Sequence, residues 1–338
     1  MNHHRVLFTG AMLTPSCIEW MQQHKLDVEV CRSDLSETEL ACALVDKDAY
    51  ILGGVEHASA AVLSTAATRL KVVAFLGVGY HAFIDTEAAT AAGIAITNAP
   101  GANARAVAEF TIGLMLDAWR KVTYLAQQTK AGRWCEVKGR NLDGKTLGIV
   151  GMGTIGSMVA RIAAKGLGMR VLYMSRTPKL DLEEDIAACQ VGLSELLAES
   201  DVVSLHAAYG PQTDRIIGEA QLATVKPGAI LINTSEAELV DAAALRMALV
   251  EGRLAAAAMD GYYIEPVPSI QADPYGLLAL GNDRLLITPH TANATEESFL
   301  AMLTANVESI TNILETGDDS RIVNPGFRNH ASWLPLVR

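Results

Sequence analysis

The sequence predicts an α/β protein built on parallel sheets with helices on their faces. Two observations predict it. Short apolar runs recur along the chain with Ala- and Leu-rich helical patterns between them, and a glycine-rich turn, Gly151-Met152-Gly153-Thr154-Ile155-Gly156, stands directly between one such run and a helical pattern. Strand, helix, strand repeated in this way returns each strand parallel to the last. With 338 residues the chain suffices for two domains of ordinary size, and with 50% hydrophobic and 19% charged residues it can bury a core in each.

Residues 5–9, 49–52, 70–75 and 94–97 read as buried strands, the last running into Asn98-Ala99-Pro100-Gly101. The longest helical pattern follows, 104–130, with Asn103 as its cap. Its apolar positions, among them Val107, Phe110, Leu114, Met115, Leu116, Trp119 and Val122, cover more than one face. Such a helix needs two burial surfaces, so it is either a core helix throughout or a core helix that also meets another subunit. A second series of strands comprises 146–150, 170–173, 202–205, 229–233, 255–259 and 285–288; residues 295–314 are helical again and the tail from 324 reads as loop.

The net charge of -11 argues against a nucleic-acid partner, which would want a basic face. The five cysteines, Cys17, Cys31, Cys42, Cys135 and Cys189, are odd in number and lack CxxC spacing, the pattern of reduced thiols in a cytoplasmic protein. No metal is expected, since nothing near His3 and His4 completes a ligand set. The first residues lack the apolar stretch of a signal peptide, and no apolar run reaches the ~20 residues that cross a bilayer.

The glycine turn follows the strand 146–150 and opens the helix 157–165, the context that gives a GxGxxG pattern its mechanism. Gly151 permits the tight turn, Gly153 lets a pyrophosphate approach the backbone, and Gly156 lets the helix pack on the strand. The helix N-terminus, with Thr154 and Ile155, then offers free N–H groups to phosphate. The next strand ends in Met174-Ser175-Arg176-Thr177, with Lys179 beyond, where NAD sites usually carry an acid for the ribose 2′-hydroxyl. A guanidinium flanked by hydroxyls suits a 2′-phosphate. NADP(H) is therefore favoured, with NAD(H) as the alternative in which Arg176 stacks on the adenine.

Further motifs converge. Gly77-Val78-Gly79-Tyr80 is followed by Ile84-Asp85, Asn98-Ala99-Pro100-Gly101 by Val107-Ala108-Glu109, and Lys226-Pro227-Gly228-Ala229 by Ile232-Asn233-Thr234; Asp260, Glu265-Pro266 and Thr288-Pro289-His290 come later. Taken together, from about residue 45 to 325, they resemble the D-isomer-specific 2-hydroxyacid dehydrogenase family. The resemblance implies two flavodoxin/Rossmann-like doubly wound domains with the active site in the cleft between them. One, the substrate domain, is discontinuous (1–100 and 294–338); the other, 101–293, binds NAD(P). It also implies a homodimer through helix 104–130, a small-molecule substrate and no membrane partner.

The resemblance assigns His290 as general acid and base, a role suited to an imidazole that titrates near neutrality, with Glu265 as the carboxylate that orients it. It puts Asp260, His206 and Thr234 beside the cofactor, and it makes the backbone N–H groups of Val78 and Gly79 the grip on an anionic substrate group. Tyr80 and His81 complete that loop; His81, Tyr262 and Tyr263 stand as pocket-shaping or as plain packing residues.

One position departs. After Asn233-Thr234-Ser235, where the family carries its substrate-binding arginine and then glycine, this chain has Glu236-Ala237. An ionised carboxylate donates nothing to a 2-oxo acid, and at ~4 Å in an effective dielectric of ~20 a single charge contact amounts to about 4 kcal/mol before desolvation. Three readings follow. The chain is a dehydrogenase or reductase of carbonyl, hydroxy or imine compounds other than ordinary 2-oxo acids. Alternatively it is a conventional 2-hydroxyacid enzyme with another cation, Arg105 being nearest in sequence. The third reading is a non-catalytic dinucleotide-binding regulatory or scaffold protein.

Overall fold

A computed structural model of the chain describes residues 3–10 and 13–333. The chain forms two compact units, Met1–Asn103 with Thr295–Arg338, and Ala104–Ala294.

In the first unit the strands β1 (His4–Thr9), β2 (Leu26–Cys31), β3 (Ala49–Leu52), β4 (Val72–Phe75) and β5 (Ala95–Thr97) form one sheet in the order β2-β1-β3-β4-β5. Every pairing is parallel. Successive side chains of a strand point to opposite faces, and both faces are covered. Val6, Phe8, Ile51, Val72 and Ala74 pack with Phe299, Leu303, Val307 and Ile310 of the helix Glu296–Thr316. Leu7, Tyr50, Leu52 and Val73 pack with Leu40, Leu44, Val62 and Leu63 on the other side. Burial on both faces is why β3 and β4 read as unbroken apolar runs. β2, absent from the sequence reading, is an edge strand whose apolar and acidic residues alternate in Leu26-Asp27-Val28-Glu29-Val30.

The tail departs from its loop reading. Short 3-10 turns at Pro325–Asn329 and Ala331–Trp333 fold it back onto the sheet. The Asn324 side chain accepts from the Ile96 N–H at 2.7 Å and donates to the Ile94 carbonyl at 2.9 Å, which satisfies backbone groups at the open edge of β5. Trp333 is buried and donates from Nε1 to the Gly93 carbonyl at 2.6 Å.

The second unit holds β6 (Thr146–Val150), β7 (Arg170–Met174), β8 (Cys189–Gln190), β9 (Val202–Leu205), β10 (Ala229–Asn233), β11 (Leu254–Asp260) and β12 (Leu285–Thr288), ordered β12-β11-β10-β9-β6-β7-β8. All are parallel. One face packs Leu147, Ile149, Ile230 and Ile232 against Leu114, Met115, Val159 and Ala163; the other packs Val203, Leu205 and Met259 against Leu196, Leu197, Leu245 and Leu249. Two sheets, each covered on both faces, make the fold doubly wound in both units.

The helix expected over 104–130 is two helices, Ala104–Arg120 and Val122–Lys130. Lys121 between them has φ 57, a left-handed conformation that no continuous helix accommodates. Asp117 accounts for the break: its carboxylate accepts from the Thr123 N–H at 2.8 Å and from the Thr123 hydroxyl, holding the start of the second helix. Asn103, expected to cap the first helix, makes no side-chain hydrogen bond among the described residues. The first helix has nine buried residues, five of which (Ala108, Leu114, Met115, Ala118 and Trp119) belong to the unit's hydrophobic core, and the second has none.

Candidate active site

The glycine turn joins β6 to the helix Thr154–Leu167. Gly151 has φ +100, and a Cβ there would lie 2.5 Å from the Ala207 nitrogen. A Cβ on Gly156 would lie 2.3 Å from the Gly151 carbonyl oxygen. Both positions therefore exclude a side chain. Gly153 faces open space instead, with nothing within 4 Å. It is also the N-cap and supplies no side-chain bond, so the first amides of the helix, including those of Thr154 and Ile155, are left for an outside acceptor. The turn has the shape and the donors that a pyrophosphate requires.

Beyond β7 the Arg176 and Thr177 side chains are exposed, and the Arg176 guanidinium has no ion pair among the described residues. Ser175 accepts from Gln190 at 2.8 Å through its carbonyl. Lys179 donates its backbone N–H to the Tyr173 hydroxyl at 2.8 Å, which fixes the turn after β7. At the end of β9, His206 bonds from Nε2 to the Ser204 hydroxyl at 2.8 Å, while its Nδ1 is buried without a partner. Burial pushes its pKa down to about 4, so this imidazole is neutral. Thr234, after β10, shares a 2.8 Å hydroxyl contact with Thr111.

At the ends of β11 and β12 the expected acid–base residues come together. Asp260 is buried and both its oxygens are used: Oδ1 accepts from the Thr288 hydroxyl at 2.6 Å and the Thr291 N–H at 2.9 Å, Oδ2 from the Ala292 N–H at 2.7 Å. It thereby shapes the 288–292 segment in which His290 sits at φ 51. His290 Nδ1 lies 3.1 Å from Glu265 Oε2, and the other oxygen of Glu265 accepts from the Tyr262 N–H at 2.8 Å. Gly261 permits this approach, since a Cβ there would lie 2.8 Å from Glu265 Oε1. His290 Nε2 is left without a partner among the described residues.

Burial opposes charge on His290, but the Glu265 carboxylate, its hydrogen bond, and the charges of Glu236 and Asp260 together raise the pKa above the ordinary imidazole value. Glu236 faces this group from the segment after β10. Asn233 fixes its backbone, donating from Nδ2 to the Glu236 carbonyl at 2.9 Å. Desolvation raises the Glu236 pKa; His290 counteracts this, and Glu238 and Glu265 add to it. The Glu236 carboxylate has no hydrogen bond or ion pair among the described residues. Arg105 is exposed and paired with Glu109 one helical turn away.

Four supporting residues were not singled out for these roles in the sequence. Tyr263 donates to the Val240 carbonyl at 2.9 Å, tying the Glu236 segment to the 261–278 loop. Tyr262 donates to Asp273 at 2.8 Å, and Asp273 also accepts the Leu278 N–H at 2.9 Å. Asn233 was visible only as part of a motif; an Asn two residues before a turn is the signal that would have found it.

Val78, Gly79, Tyr80 and His81 form a loop of the first unit after β4. Neither the Val78 nor the Gly79 N–H is donated to another group among the described residues. The Val78 carbonyl accepts from Asn98 Nδ2 at 2.9 Å, and the Tyr80 and His81 rings lie 4.0 Å apart. Among the described residues there is no group of His, Cys, Asp and Glu that could hold a metal ion, and no helix is long and apolar enough to cross a membrane.

A glycine turn for a dinucleotide and a His–Glu pair in one parallel-sheet unit are the parts of a nicotinamide-dependent oxidoreductase. Residues 112–292 match the model of the D-isomer specific 2-hydroxyacid dehydrogenase NAD-binding domain. A glyoxylate reductase of Aeropyrum pernix is 39% identical over 283 residues, covering 78% of this chain and 82% of its own length. Glyoxylate/hydroxypyruvate reductase B of Yersinia pseudotuberculosis is 37% identical, covering 77% of this chain and 79% of its own. The solved apo-structure of D-lactate dehydrogenase from Escherichia coli superposes with TM-score 0.81 at 26% identity, over 94% of this chain and 99% of that one. The chain belongs to the D-isomer-specific 2-hydroxyacid dehydrogenase family, a family of NAD-dependent oxidoreductases acting on hydroxyacids.

Proposed function

We propose that this protein interconverts a carbonyl compound and its alcohol with a nicotinamide cofactor, and that its substrate is not an ordinary 2-oxo acid. The observation that carries the acid–base part is the His290–Glu265 pair at 3.1 Å, with the second Glu265 oxygen held by Tyr262 N–H. The cofactor, when bound, supplies or accepts hydride. Gly151, Gly153, Thr154, Ile155 and Gly156 hold its pyrophosphate; Ser175, Arg176, Thr177 and Lys179 face its adenosine ribose; and His206, Thr234 and Asp260 border the nicotinamide end.

In the reducing direction negative charge develops on the carbonyl oxygen, and a protonated His290 donates from Nε2. Glu265 holds the ring by Nδ1 and favours its cationic form, so the proton is available near neutrality. In oxidation the neutral ring takes the proton back. The unpaired guanidinium of Arg176 favours NADP(H), with NAD(H) the weaker ligand. The first unit is the substrate domain, in which the free N–H groups of Val78 and Gly79 serve a polar substrate group together with Tyr80 and His81. Two copies pair through the helices of 104–130, and the five free cysteines support a cytoplasmic location.

The names of the relatives point to glyoxylate or hydroxypyruvate as substrate. Glu236 argues against both, since their carboxylate would meet a carboxylate. A substitute cation at Arg105 is disfavoured by its pairing with Glu109. The test is His290→Ala: carbonyl turnover falls by a factor on the order of 100 or more while dinucleotide affinity, read by fluorescence titration, stays within a few-fold. Dinucleotide binding by wild type with no turnover of any carbonyl substrate would favour the regulatory reading instead.

A further inference from the structure

Glu236 is an exposed residue whose carboxylate interacts electrostatically with His290 and receives no donor from the described chain. An ionised carboxylate left open in this way has acceptors only, and takes the donors that a ligand brings. Glu265 acts on both Glu236 and His290, and Asp260 on His290, so the charges that act most strongly on the ring are those of carboxylates. Asp260 and Glu265 are already satisfied by Thr288, Thr291 and Ala292, and by Tyr262 and His290. Glu236 alone of the three has its full acceptor capacity free. Its backbone is pinned by Asn233, and the adjoining Val240 by Tyr263, so the carboxylate is presented from a fixed segment.

We infer that Glu236 is the specificity-determining residue for a substrate cation: the protein takes a small oxo compound carrying an ammonium group near the carbonyl, in place of a carboxylate. The inference rests on the oxidoreductase reading above and names the substrate class for that site. The negative field that repels a carboxylate attracts an ammonium, whose N–H donors satisfy the open acceptors of Glu236. The reduction balances as NADPH, one proton and one ketone giving NADP+ and one secondary alcohol. A C–H bond forms by hydride addition at carbon, the C=O π bond breaks, and the proton from His290 completes the hydroxyl.

Three ketones of one skeleton supply the test: aminoacetone (cationic), hydroxyacetone (neutral) and pyruvate (anionic). Steady-state NADPH oxidation is measured for wild type and for Glu236→Gln, which keeps size and removes charge. Calorimetric binding of each ketone to the protein saturated with NADP+ is measured alongside. The expected kcat/KM ratio of aminoacetone to pyruvate is on the order of 100 or more in wild type, and it falls by at least about 10-fold in Glu236→Gln. Equal or reversed preference in wild type, or a ratio unchanged by the substitution, overturns the inference and leaves the oxidoreductase reading standing. If no ketone turns over, calorimetry decides: aminoacetone bound in preference to pyruvate by wild type and not by Glu236→Gln upholds the cation site while the oxidoreductase reading fails. Absence of that preference overturns the cation site too.

Discussion

His290 gains its acid–base character from one carboxylate contact and keeps it against burial. Burial alone would lower its pKa, and Glu265, with Glu236 and Asp260 behind it, reverses the sign. Reduction needs the protonated ring, so activity in that direction is high below the raised pKa and falls as pH rises through it. Glu265→Gln removes the largest of the raising charges; the alkaline limb of kcat/KM for reduction moves to lower pH, and an unmoved limb would remove Glu265 from proton transfer. The 290 and 265 positions were legible because His after Thr-Pro and Glu before Pro lie in register with other motifs. What holds them was not: Tyr262 acts on Glu265 through its backbone N–H, and Asp273 acts through Tyr262 and three residues of its own loop. Backbone donors leave no mark on residue type. Asp260 was read as a cofactor neighbour; the structure adds that its carboxylate organises the 288–292 segment.

At the scale of elements, periodicity carried furthest where burial is complete. β3, β6, β9 and β10, buried throughout, begin and end where the apolar runs do, and so does the partly buried β12. β8, two exposed residues long, has no run to detect. The helix expected over 104–130 failed at Lys121, because a side-chain cap from Asp117 imposes a break that apolar spacing does not encode. The glycine turn is the element most open to test. Gly156→Ala would gain about 1 kcal/mol of helix propensity, but its Cβ meets a carbonyl oxygen at 2.3 Å. Overpacking costs about 1–3 kcal/mol and should win, lowering the unfolding midpoint and weakening dinucleotide binding together. The turn after β7 predicts cofactor choice. Arg176→Ala should weaken NADPH by a factor on the order of 10 or more, the loss of a charge-assisted contact, and leave NADH within about two-fold. Equal losses for both, in parallel fluorescence titrations, would mean that Arg176 does not read the 2′-phosphate.

For the whole molecule, chain length sufficed for two domains and the family resemblance implied two α/β ones; the units divide at Asn103 and Ala294. The proposed dimer draws on what stays uncovered. Leu116, Val122 and Trp134 are 38%, 57% and 90% exposed, and the helix Val122–Lys130 buries nothing in its own unit. Sedimentation at micromolar concentration should give a dimer, and Val122→Glu with Trp134→Lys should shift it toward monomer; a wild-type monomer would contradict this. The central claim, that Glu236 turns the family's chemistry away from 2-oxo acids, is tested most directly by kcat/KM for glyoxylate and hydroxypyruvate with NADPH in wild type, Glu236→Arg and Glu236→Arg with Ala237→Gly. The expected result is little or no activity in wild type and a rise of at least about 100-fold when a guanidinium replaces the carboxylate; robust wild-type activity on either acid would contradict it.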